Sequence, residues 1–259
     1  MKQMVHKILK ICGIVSLFLM ASAYLTFSSV MVQQKKGEVV CKEIDIHIVD
    51  STVLRMVQQH DILTFLQKNK IPLIGEKIDH INLHQLELLI KQQAGVEECE
   101  AYTHLNGVLT LRLTQRSPLL RLITPNGSYY LDHSGALFPT IPQRTAYVPV
   151  VSGNIPVEDH EWINQLHQFG LYLRNHPFWN AQIEQIYVHN RYNIEMIPRA
   201  GASTSILLGN FDHFEYKLQK LYTFYRTVAL TQGWDLYDRI DLRFNNQIVC
   251  RTASSNRNN

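Results

Sequence analysis

Apolar side chains run almost without a break from Ile11 to Val32, and no charged residue occurs between Ile11 and Gln34. At a helical rise of about 1.5 Å per residue this stretch would extend about 33 Å, enough for the hydrocarbon core of a bilayer. Lys2, His6, Lys7 and Lys10 precede it and Lys35 and Lys36 follow it, a mild bias toward a cytoplasmic N-terminus. Ala21-Ser22-Ala23 also has the small-x-small form of a cleavage site, so a removed signal peptide is the alternative reading. Against it, cleavage there would leave Tyr24, Leu25, Phe27, Val30, Met31 and Val32 exposed on a mature N-terminus. The pattern predicts a stub over 1–10, a transmembrane helix over 11–32 and a polar spacer over 33–42.

Beyond the spacer the period changes. Ile44, Ile46 and Ile48 alternate with Asp45 and His47, as in a half-buried strand. Asp61 is expected to cap a short helix bearing Ile62, Phe65 and Leu66. Asn82 is expected to cap a second, with Leu83, Leu86, Leu89 and Ile90 inward and Gly95 as its stop. Val96 to His104 reads as another strand, Asn106-Gly107 as a two-residue hairpin turn, and Val108, Thr110 and Arg112 alternate with Leu109, Leu111 and Leu113 in a third. The order β-α-α-β-β defines a domain over 43–117.

Ser117-Pro118 interrupts that ladder and opens a β-rich domain over 118–252, punctuated by Pro125-Asn126-Gly127, Ser134-Gly135 and Ser152-Gly153. A helix is expected from Glu158 to Arg174, with Trp162, Ile163, Leu166, Gly170 and Leu173 on one stripe and Pro177 after its end. Strands follow at Ile183 to Val188, Tyr192 to Ile197 and Ser205 to Leu208. A longer helix from Asp212 to Thr231 carries Phe214, Leu218, Leu221, Tyr222 and Tyr225 inward, with Lys217, Lys220 and Arg226 off that face. Arg239 to Phe244 and Gln247 to Arg251 read as a closing hairpin around Asn245-Asn246, before a polar tail over 253–259. The fold class is α+β: a membrane helix, a small β-α-α-β-β domain, and a mixed β domain with flanking helices.

The closing hairpin has two registers. A two-residue loop pairs Phe244 with Gln247, whereas a three-residue loop pairs Phe244 with Ile248 and segregates apolar residues better. In either case the last strand has apolar residues on both faces, as a sheet edge would. An edge offers unpaired N–H and C=O groups to an extended partner. The plainer reading is a strand that simply closes the sheet.

Composition narrows the chemistry. Of the formal +3 charge, residues 1–42 hold six Lys and one Glu, leaving 19 basic and 21 acidic side chains beyond them, which is no nucleic-acid footprint. Cys41, Cys99 and Cys250 are odd in number and lack C-x-x-C spacing, so neither a metal ribbon nor a disulfide framework is indicated, although a Cys41–Cys99 bridge stays open. His80 and His84 have ligand-like spacing, but Asn82 as a cap leaves His80 outside the helix. Asp132-His133-Ser134 holds triad residue types, yet three consecutive residues in a tight turn cannot form the relay. Neither a catalytic set nor a cofactor or metal site emerges.

Four segments carry a resemblance to a known family. They are Leu109-Thr110-Leu111-Arg112-Leu113-Thr114-Gln115-Arg116-Ser117-Pro118, Tyr129-Tyr130-Leu131-Asp132-His133-Ser134-Gly135-Ala136-Leu137-Phe138-Pro139, Val148-Pro149-Val150-Val151-Ser152-Gly153 and Ile240-Asp241-Leu242-Arg243-Phe244. In order and spacing they resemble the bacterial cell-division family FtsQ/DivIB over nearly the whole chain. The resemblance implies a POTRA domain, then a β domain, in a non-catalytic scaffold of the divisome at the inner membrane. It implies an FtsB-like partner that brings an FtsL-like one, bound through the C-terminal strand region. Here that region comprises Phe244, Asn246, Gln247, Ile248, Val249, Cys250 and Arg251. The stub is shorter than in many members. The alternatives are a POTRA-bearing outer-membrane assembly or secretion factor, although neither repeats nor barrel strands are visible, and an exported cell-wall enzyme.

Overall fold

A computed structural model of the chain describes residues 16–28, 39–49, 55–200, 204–233 and 236–253. Residues 16–28 form helix α1, whose side chains are exposed all round, Leu17, Phe18, Met20, Leu25 and Phe27 among them. Among the described residues no helix is long and apolar enough to cross a membrane. The rest of the expected span, residues 11–15 and 29–32, lies outside the described residues, as do the stub, most of the spacer and residues 254–259. The chain divides into two compact units, Met1–Val53 with Val57–Gln115, and Leu54–Met56 with Arg116–Asn259.

The first unit holds β1 (Glu43–Ile48), α2 (Gln59–Lys68), α3 (Leu83–Ile90), β2 (Val96–Thr103) and β3 (Val108–Gln115). The sheet order is β1-β3-β2, with β1 parallel and β2 antiparallel to the central strand. Register sets Ile44, Ile46 and Ile48 beside Leu109, Leu111 and Leu113, and the three leucines are fully buried with Ile62, Leu66, Leu86 and Ile90. Asn82 caps α3 as expected, its Oδ1 accepting the Gln85 N–H at 3.0 Å. Helix α2 starts earlier than expected: Asp61 sits in its first turn and Oδ2 accepts the Gln58 N–H at 2.7 Å, so the carboxylate serves the helix end from inside. The β2–β3 turn is one residue longer than the expected pair. His104 donates to Val108 O and Gly107 donates to His104 O, which leaves Leu105, Asn106 and Gly107 as the loop. Gly107 alone of these takes positive φ, +89°, and a Cβ there would meet Val40 O at 2.5 Å.

The second unit is one nine-stranded sheet with helices on one face. Its strands are β4 (Pro118–Thr124), β5 (Gly127–Asp132), β6 (Leu137–Pro139), β7 (Val150–Gly153), β8 (Ile183–Asn190), β9 (Asn193–Pro198), β10 (Ser205–Gly209), β11 (Tyr237–Asp241) and β12 (Val249–Thr252). Their order is β12-β11-β10-β9-β8-β7-β4-β5-β6. One apolar row crosses seven of them: Leu122, Val151, Ile186, Met196, Ile206, Ile240 and Cys250 are paired in succession. All but Cys250 are essentially inaccessible.

Helix α4 (His160–Asn175) lies on this row's face, started by Asp159 Oδ1 accepting the Trp162 N–H and burying Trp162, Leu166, Phe169 and Leu173. Pro177, expected only to end α4, begins a further short helix, α5 (Pro177–Gln182), since its fixed φ and missing N–H suit a first helical position. The last helix runs unbroken, close to the expected 212–231. α6 (Phe214–Phe224) continues through one wide π turn at Tyr225–Ala229 into a final α turn at Leu230–Gln232, the widening falling where Tyr225 is buried.

Asp132 is wholly buried, and its carboxylate accepts from Ser134 N (3.0 Å), Ser134 Oγ (2.6 Å), Ala136 N (2.8 Å) and Arg116 Nη1 (2.7 Å). Burial alone would push its pKa up. The hydrogen bonds from Ser134, Arg116 and Ala136 and the guanidinium charge outweigh this and hold it below the ordinary value. Asp241 is depressed in the same manner, burial opposing the bonds and charge of Arg243. A depressed native pKa contributes stability that is complete above the unfolded value of about 4 and is lost as pH falls through the native one. Urea unfolding of the chain is therefore expected to give a flat stability from neutral pH to about pH 5 and a decline below about pH 4. Asp132→Ala, which strands the partly buried Arg116, is expected to cost about 3 kcal/mol at neutral pH; a cost under about 1 kcal/mol would contradict the buried network.

Candidate functional site

The chemistry-bearing residue types are engaged in local structure. His80 Nδ1 lies 3.2 Å from Glu76 Oε1 and His84 Nδ1 lies 3.8 Å from Glu87 Oε2, each pairing within its own turn. Among the described residues no group of three or more metal-binding side chains lies together. In the Asp132-His133-Ser134 turn the serine hydroxyl donates to the aspartate, closing the turn. Cys41 and Cys99 are buried free thiols in the first unit's core, and burial pushes both pKa values up, Cys99 to about 11.

The C-terminal strand does sit at the sheet edge, as the expected two-faced apolar pattern requires. Among the described residues β12 pairs on one side only, antiparallel to β11, with Ile240 beside Cys250, Arg239 beside Arg251 and Asp241 beside Val249. Neither expected register occurs. Pairing stops at Asp241 and Val249, so Leu242 to Ile248 form a seven-residue connection, within which Asn246 takes positive φ, +60°. The row explains the choice: Cys250 must lie beside Ile240 to face the core, and neither tight loop allows that. Leu242 is also drawn away from any hairpin, donating its N–H to Leu207 O on β10 at 2.9 Å.

The pleat sorts the backbone. Ala253 donates its N–H to Leu236 O, so the N–H and C=O groups of Arg251 and Val249 point the same way, toward β11. Those of Cys250 and Thr252 point away from the sheet. Val249, at 44% exposure, and Arg251 present side chains on the open face, where Arg251 Nε donates to Asp238 Oδ1 at 2.7 Å. Ile248 and Cys250 turn toward the core, and burial raises the Cys250 thiol.

The connection is held from three directions that periodicity did not reveal. Arg243 donates its backbone N–H and Nε to Asp241 Oδ1, and Nη2 to Oδ2 at 2.6 Å. Gly209, at φ +84°, leaves room for the Arg243 stem, which a Cβ there would meet at 2.8 Å. From α6, Lys220 Nζ donates to Phe244 O (2.6 Å) and Gln247 O (3.2 Å), while Tyr216 Oη donates to Asn246 Oδ1 (2.8 Å). The Lys220 ammonium also lies 5.2 Å from the Tyr216 ring centroid. Of the seven residues expected to meet a partner, Phe244, Asn246, Gln247, Val249 and Arg251 are exposed, while Ile248 and Cys250 offer mainly backbone. The sequence sets Lys220 off the apolar face and does not single out Tyr216; their i, i+4 spacing is the one local signal that links them.

Comparison with known proteins bears on both units. Residues 117–251 match the family model described as FtsQ/DivIB, C-terminal related, and residues 39–114 match that of a POTRA-like domain. A cell division protein FtsQ from Salinibacter ruber is 30% identical over 174 residues, which cover 61% of this chain and 64% of the relative. The chain thus spans just under two thirds of that relative's length.

The backbone sorting makes proline a directional probe of β12. Val249→Pro removes an N–H aimed at β11 and is expected to destabilise the second unit by about 2 kcal/mol, whereas Thr252→Pro removes an outward N–H and is expected to cost under about 1 kcal/mol. Thermal or urea unfolding of the two variants checks this, and the reverse order of stabilities would invert the assignment of inward and outward groups.

Proposed function

Because this chain belongs to the FtsQ/DivIB family of cell-division proteins, we propose that it is a non-catalytic scaffold of the divisome, which captures an extended segment of a bitopic FtsB-like protein by strand addition to β12. An FtsL-like protein comes with it, and the assembly helps regulate septal peptidoglycan synthesis. The observation that carries this reading is the one-sided pairing of β12, with the backbone groups of Cys250 and Thr252 turned away from the sheet. An incoming strand completes those hydrogen bonds, and the exposed Val249 and Arg251 on one face contribute side-chain selection.

The apolar stretch from Ile11 to Val32 serves as a retained single-pass anchor, with the N-terminus in the cytoplasm and residues 43–252 on the far side of the inner membrane. The exposed apolar surface of α1 supports this, since such a surface needs lipid or protein to cover it. Anchoring confines scaffold and partner to one plane and raises their effective concentration, so a modest edge contact suffices. No cofactor enters the reading.

The test is capture by the full chain in detergent or nanodiscs of the extracytoplasmic segments of FtsB-like and FtsL-like proteins from the same genome. Wild-type protein is expected to retain them, and Thr252→Pro, folded by its melting curve, is expected to lose at least tenfold in affinity. Equal capture by the two proteins would rule out strand addition at this edge. Intact-mass analysis of the membrane fraction tests the anchor: the expected product still carries residues 1–23, and a mature form beginning at Tyr24 would overturn it.

A further inference from the structure

The seven-residue connection before β12 is long for a hairpin that shares only four paired positions with β11. Closing such a loop costs conformational entropy, and a short edge strand behind it would fray. Lys220 stands where it offsets this. Its ammonium has three protons: two meet the Phe244 and Gln247 carbonyls, on either side of the positive-φ Asn246, and the ammonium also stands against the ring of Tyr216. The Tyr216 hydroxyl holds Asn246 itself. These contacts fix the backbone between Phe244 and Gln247, hence the point at which β12 leaves the turn. The exposed Phe244 belongs to the same held turn, its carbonyl being the nearer of the two that Lys220 meets.

We propose that Lys220 and Tyr216 are positioning residues for partner capture: α6 pre-organises the Phe244–Gln247 turn, so that β12 meets an incoming extended peptide already ordered. This rests on the strand-addition reading. Neither side chain reaches β12 itself through these contacts; both act through the turn.

The prediction concerns Lys220→Met, which keeps the aliphatic stem and removes the donors. In the full chain its affinity for the FtsB-like segment is expected to fall about tenfold, because ordering of the turn is then charged to binding. Amide hydrogen exchange over residues 244–250 of the unbound protein is expected to quicken about tenfold, with exchange in β8 and β9 unchanged. Lys220→Arg, which retains donors, is expected to recover most of the affinity. Tyr216→Phe, a milder change, is expected to move affinity about threefold in the same direction. Lys217→Met is the charge control: it removes the same charge from α6, but Lys217 Nζ bonds Asn210 rather than the turn. Wild-type affinity in Lys220→Met alongside lost affinity in Thr252→Pro would overturn the positioning role and leave strand addition standing. Equal losses in Lys217→Met and Lys220→Met would also overturn it, assigning the effect to charge. Wild-type affinity in Thr252→Pro would instead sink the strand-addition reading itself.

Discussion

Register across the large sheet is the constraint on which the second unit depends. The row from Leu122 to Cys250 places one inward side chain from each of seven strands under α4 and α6. Slipping β8 by a residue would turn its inward Ile186 and Val188 to the face where Tyr187 is exposed. At roughly 1.5–3 kcal/mol each, that loss is a large fraction of an ordinary domain's stability. No turn preference or single hydrogen bond competes with that. The row therefore decides where β12 starts, which residues form the connection before it and which backbone groups remain free.

Two buried carboxylates secure this sheet at distant strands. Asp132 at the end of β5 binds Arg116 and the turn that follows it, and Asp241 at the end of β11 binds Arg243 and the start of the connection. Both lie in segments that carry the family resemblance. Their chemistry is structural: each carboxylate absorbs backbone N–H groups where a strand leaves the sheet and would otherwise abandon them. A segment of acid, hydroxyl and imidazole thus serves as a turn, and an Asp-Leu-Arg segment as the footing of a loop.

In the proposed scaffold the edge and the clamp divide the work of an interaction site. Unpaired backbone supplies adhesion that is indifferent to sequence, while exposed side chains beside it supply choice. Pre-organisation governs how much of that adhesion appears as affinity, since a frayed strand must be ordered at the moment of binding. A short edge strand also limits indiscriminate association, the hazard of any open sheet. Val249 and Arg251 lie on the open face, while Cys250 faces inward as the last member of the row, so the strand is tied to the core through one side chain.

Local sequence carried much of the fold because local physics controls it. Period-two alternation placed β1, β3 and the leucines beneath α2 and α3, Asn82 marked the start of α3, and the stripe from Trp162 to Leu173 gave α4 with its inward face. The two-faced apolar pattern of the last strand also marked it as an edge. Tertiary structure decided what depends on distant partners. The π turn at Tyr225, the helix that Pro177 begins and the length of the connection before β12 each answer to packing against segments remote in sequence. Lys220 illustrates the limit: on a helical wheel it is a solvated cation, and only the arrival of the Phe244 and Gln247 carbonyls, 24 and 27 residues along the chain, turns it into a clamp. The sequence by itself determined which faces would be buried, since burial follows side-chain period. Register, loop length and the direction of each free N–H came from the tertiary structure, because they are set by the cross-sheet row as a whole.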